Sequence, residues 1–260
     1  MALLAQSLRT RGVNFALLFG PPRVVEREEA SRLHGRLCDA LKRDDVSFRY
    51  NPAEQAVPQQ SRGFAIQMER PEGRGGFRVT VDYKGADNPL RLLMEFHWAP
   101  SEVHVHEQFD ITAETVFDVL EGEWQKVMAE CRIRAQCSTR SGGGLDFLRD
   151  ELLRLDGRRA DALGSPVAFA SVNLRALPAT QTQDPLANPR RELTAEVLRE
   201  DPKAVYLELM SQWAQFPVAG KQINLAAIRR IDEKPSSYIE DGTQALRNWV
   251  DAFAGDRQGR

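Results

Sequence analysis

Between Phe64 and Trp98 the chain alternates apolar and polar residues with a period of two, and few folds accommodate that pattern. Phe64, Ile66 and Met68 share one face, with Ala65, Gln67 and Glu69 on the other. Phe77, Val79, Val81 and Tyr83 then alternate with Arg78, Thr80, Asp82 and Lys84, and Leu92, Met94, Phe96 and Trp98 with Arg91, Leu93, Glu95 and His97. Successive side chains of a strand point to opposite sides, so each run reads as a half-buried strand. The short connections between them make an antiparallel meander, apolar below and polar above. Val103, Val105 and Phe109, with His104, His106 and Gln108 between them, extend the meander to a fourth strand.

The apolar face needs a cover. Val116, Phe117, Leu120, Trp124, Val127, Met128 and Cys131 recur at helical spacing, which predicts a helix over Thr112 to Arg134. Ahead of the meander, Val13 to Phe19 reads as a strand, Glu26 to Lys42 as a helix, and the Pro- and Gln-rich stretch 51–62 as a loop. The first half is therefore β-α-β-β-β-β-α. Ser141-Gly142-Gly143-Gly144 marks a joint.

Beyond the joint the order reads α-β-β-β-α-α. A helix starts at Leu145, strands cover Pro166 to Leu177, Arg191 to Leu198 and Ala204 to Phe216, and a polar loop spans 178–189. Helices follow over Ile223 to Glu233 and from Ser237, where Ser237 and Glu240 stand at capping-box spacing. The expectation is an α+β protein with two antiparallel sheets, each covered by helices, in halves 1–140 and 145–260 joined by 141–144. One sheet continuous across both halves is the alternative. Leu90 to Pro100 and Ala204 to Pro217 have similar patterns, each an apolar strand ending in Trp and Pro, which raises a degenerate duplication.

Composition narrows the function. The chain has 260 residues, 42% hydrophobic, enough for a core. Its net charge of -2 supplies no field for an anionic polymer or membrane, so a nucleic-acid role would need a local patch. Three cysteines without CxxC spacing argue against a disulfide framework, and Cys38 and Cys131 read as core residues. No run is long enough to span a membrane, and Phe15 to Phe19 is too short for a signal peptide. A cytoplasmic location follows, and the excess of Arg over Lys suggests a GC-rich bacterial source.

Two constellations carry candidate chemistry. If 99–102 is a hairpin loop, His97 opposes His104 and Glu95 opposes His106, which gathers three imidazoles and a carboxylate on the polar face. Those are ordinary zinc ligands, so Glu95, His97, His104 and His106 would centre a metal-dependent hydrolase. Arg132, Arg134 and Arg140 cluster without an acidic neighbour after Glu130 and form the candidate RNA contact. No nucleophile elbow, phosphate loop or other catalytic motif is present. The leading expectation is a non-catalytic interaction or assembly protein that binds another protein and self-associates. It would dock partners through the His-bearing face, a strand edge, or the loops at 51–62 and 178–189.

Overall fold

The computed structural model describes residues 2–20, 25–51, 63–70, 76–84, 90–97, 103–120, 126–154, 170–176, 189–215 and 236–254. In chain order these form β1 (Arg9–Gly20), α1 (Arg27–Leu41), β2 (Ser47–Asn51), β3 (Gly63–Arg70), β4 (Phe77–Tyr83), β5 (Leu90–His97), α2 (Val103–Val119) and β6 (Lys126–Ser138). Then come α3 (Gly144–Phe147), which continues as a π-helical turn over Leu148–Leu153, β7 (Ser171–Ala176), β8 (Arg190–Val197), β9 (Ala204–Gln215) and α4 (Ser237–Ala254). The class is α+β, as expected. Of the loops predicted at 51–62 and 178–189 all but residues 51 and 189 lie outside the described residues, as does the predicted helix at 223–233.

All nine described strands belong to one antiparallel sheet in the order β2-β3-β4-β5-β1-β6-β9-β8-β7. The two-sheet expectation is thereby corrected: β6, before the glycine run, pairs along its length with β9, after it. The glycine run lies against the β8–β9 turn, where the Gly144 N–H donates to the Pro202 carbonyl at 2.8 Å and the Thr139 N–H to that of Lys203 at 2.9 Å. Of the described strands six precede the glycine run and three follow it, all in this one sheet, so the described residues give no support to a strand-for-strand duplication of the halves.

The helix over Thr112 to Arg134 is also corrected. The helix starts earlier, at Val103, and the chain is a strand from Lys126. Val105, Phe109, Ala113, Val116 and Leu120 are all buried and recur every three or four residues, one stripe of a helix. From Ala129 onward the period becomes two: Ala129, Cys131, Ile133, Ala135 and Cys137 face the core. These are mostly small side chains, which lets α4 lie close. A β-carbon added at Gly242 would stand 2.9 Å from Ile133 Cδ1.

The described helices cover one face of the sheet. Phe15 of β1, fully buried, meets Phe109 of α2 edge-on at 5.1 Å and stacks on Tyr238 of α4 at 5.6 Å. Trp213 of β9 also packs on Tyr238, tilted, at 4.8 Å. At the same junction the Ser236 N–H and hydroxyl both donate to the buried Asp110 carboxylate, at 3.0 and 2.9 Å. The carboxylate also sits at the N-terminal, partly positive end of α4. Asp110→Ala would strand two buried donors, and a loss of about 2–3 kcal/mol in chemical denaturation is expected. A loss within experimental error would mean that water reaches Ser236.

Candidate functional site

The opposite face of the sheet carries a mesh of charge. Arg78 lies 3.0 Å from Glu69 and 3.7 Å from Glu95, and Arg91 lies 2.6 Å from Asp82. Nearer the centre, Glu208 takes Arg132 at 3.5 Å and Arg134 at 3.2 Å, and accepts the Tyr206 hydroxyl at 3.0 Å. Burial first, then Glu208, pushes that hydroxyl up to about 12, so it stays a donor at neutral pH. The RNA candidates Arg132 and Arg134 are thus brought side by side, but over carboxylates rather than in an open basic patch. Arg140 sits apart, in the turn after β6, its N–H donating to Ala2.

The histidine constellation is not assembled as the hairpin reading requires. His97 ends β5, opposite Gly12 of β1, and Glu95 on the same strand is engaged by Arg78. His104 and His106 ride the first turn of α2. The His104 ring is almost wholly exposed, 3.6 Å from Glu107, and lines an open cleft of about 300 Å3 with Arg43, Asp45, Glu69 and Arg70. The physical reason is the helical stripe beginning at Val105: burying Val105 and Phe109 on one helix face sends His104 outward. Among the described residues no three His, Cys, Asp or Glu side chains are grouped to hold a metal.

One pair escaped the sequence reading. Cys38 Sγ stands 3.5 Å from His34 Nε2 on α1, a spacing of four residues that a helical reading of Glu26 to Lys42 could have flagged. The electrostatics are wrong for a nucleophile. Burial and the carboxylates of Asp39, Asp44 and Asp45 push the thiol up, and the imidazole Nε2 is also 2.9 Å from the Val46 carbonyl. Cys131 and Cys137 are buried and pushed up by that burial, so all three free thiols are protonated at neutral pH.

The least finished part of the described surface is the β7 end of the sheet. β7 pairs with β8 in regular register, Ser171↔Glu196 through Ala176↔Arg191, and no described strand pairs with its other side. Edge strands are usually blunted by charge, proline or a bulge. β7 has Val172 and Leu174, one charge in Arg175, and none of the other devices. Leu174 is 44% exposed, and Leu153, on the π turn that touches β7, 38%; they are the two exposed large hydrophobic side chains among the described residues. Beside them a groove of about 610 Å3 runs between β7, β8 and α4, with Leu174, Leu193, Leu209 and Trp249 in its apolar lining and Arg191, paired with Asp241 at 2.8 Å, at one wall.

Among the described residues these features define an α+β protein with a helix-covered sheet face, a charge-laced face and an edge strand, β7, with no partner on its outer side. Comparisons with protein-family models, curated proteins and solved structures find no match for this chain.

Proposed function

We propose that the protein is a non-catalytic interaction and assembly protein that takes up an extended segment of polypeptide along β7. The observation that supports this most is the β7 edge itself, a regular strand whose outer side pairs with no described strand, with an exposed leucine and an adjoining groove. An added strand gains main-chain hydrogen bonds, and its alternate side chains find the groove, the two components of recognition by strand addition. The metal-dependent hydrolase reading draws no comparable support from the dispersed imidazoles. The RNA reading draws little from arginines already matched by Glu208.

Three free thiols fit a reducing, cytoplasmic setting, and no described helix is long and apolar enough to cross a membrane. The test is hydrogen exchange on the purified chain with and without hexapeptides that alternate apolar and polar residues. The amides of 171–176 that point away from β8 are expected to gain protection, and Leu174→Lys to weaken peptide binding at least about tenfold without changing the melting temperature. If the β7 amides that point away from β8 exchange freely under every condition, the docking reading fails.

A further inference from the structure

We infer that the segment taken up by β7 is the β7 of a second copy of this chain, paired antiparallel about a twofold axis through Asn173. The inference rests on the docking reading above and adds the identity of the occupant. Antiparallel pairing keeps a common face only when opposed residues both point to it. With Asn173 opposite its own copy, Val172 stands against Leu174 of the second copy, on the helix-covered face. Ser171 then stands against Arg175 of the second copy, on the charged face.

Charge selects this register. The Ser171 hydroxyl lies 3.1 Å from the Glu196 carboxylate across the β7–β8 ladder, and no cation of the described residues stands within ion-pair distance of Glu196. Directly opposed β-carbons are about 5 Å apart, so an Arg175 from the second copy, set against Ser171, reaches over it to Glu196. Arg175 is 62% exposed and held at 3.2 Å by Glu192, which still has Asn173 at 2.8 Å and Arg190 at 4.0 Å when Arg175 turns away. The neighbouring register, with Leu174 opposite itself, places Arg175 against Asn173 and leaves Glu196 unmatched.

The apolar pattern agrees. Each Leu174 is covered by a Val172, and the groove lined by Leu174, Leu193 and Leu209 lies on the same side. The same patch serves both copies, which is the self-complementarity a closed twofold dimer requires. Its product is one sheet running through two molecules, with the β7 edge of each paired.

Sedimentation equilibrium of the full chain over a wide concentration range tests this. The wild type is expected to dimerise reversibly. Leu174→Lys, and Asn173→Lys with its two like charges on the axis, are each expected to weaken the dimer at least about tenfold. Arg175→Glu and Glu196→Arg are expected to weaken it singly and to restore it when combined, as a direct pair requires. A wild type that stays monomeric throughout overturns the inference, and if hexapeptides still protect β7, the docking reading survives alone. A dimer indifferent to Leu174→Lys and Asn173→Lys, or a charge swap without rescue, also overturns it.

Discussion

Phe15→Ala is expected to cost about 3–5 kcal/mol in urea or guanidinium denaturation. Phe15 is fully buried at the centre of the sheet, and its ring is held by Phe109 of α2 and Tyr238 of α4. Removing it leaves a cavity under two helices at once, and neither can close it without leaving its own neighbours, Phe109 on α2 and the Tyr238–Trp213 contact on α4. Leu18 is the control: it lies on the same strand but on the charged face, half-buried, and Leu18→Ala should cost about 1 kcal/mol or less. Equal losses at the two positions would mean that the sheet is covered on both sides alike, and the description of one helix-covered face would fail.

Gly144→Val should have an effect of similar size for a different reason. A β-carbon at Gly144 would stand 2.4 Å from the Ala204 carbonyl oxygen and 3.1 Å from its carbon. Those are backbone atoms at the start of β9, so no side chain can turn aside. Relief requires parting the segments joined by the Gly144–Pro202 and Thr139–Lys203 hydrogen bonds. A loss of about 3 kcal/mol is expected. Gly35→Ala should go the other way, by about 0.5–1 kcal/mol, because Gly35 is exposed within α1 and an added β-carbon meets nothing within 4 Å. A tolerated Gly144→Val would show that the glycine run is a loose tether after all, as its composition suggests.

The same glycine run shows how composition and structure part company. Three consecutive glycines are read as a flexible joint because glycine restricts the backbone least. Here the lack of side chains serves close approach instead: the chain passes against the β8–β9 turn. Sequence shows where a β-carbon is missing, and only the neighbouring backbone shows whether the space is used. The candidate site has the same history. A strand within Pro166 to Leu177 was legible, and β7 falls inside it, yet its place at the end of the described sheet was not, because edge position is set by which strands pair and pairing partners are far apart in the chain.

What the residues alone determined was local. Period-two runs at 64–70, 77–83 and 90–97 became strands, and Glu26 to Lys42 and the stretch from Ser237 became helices, because one buried face per element is enough to write the pattern. Where two periods compete, as at Val103 to Cys131, short apolar runs fit either, and tertiary packing chose. Val105 and Phe109 were needed on a helix above Phe15, and the small Ala129, Cys131 and Ala135 on a strand beneath α4. That choice dispersed the imidazoles. It also joined both halves into one sheet through the β1–β6 and β6–β9 ladders and left β7 at its end, since hydrogen bonds between strands join backbone groups that carry no sequence label.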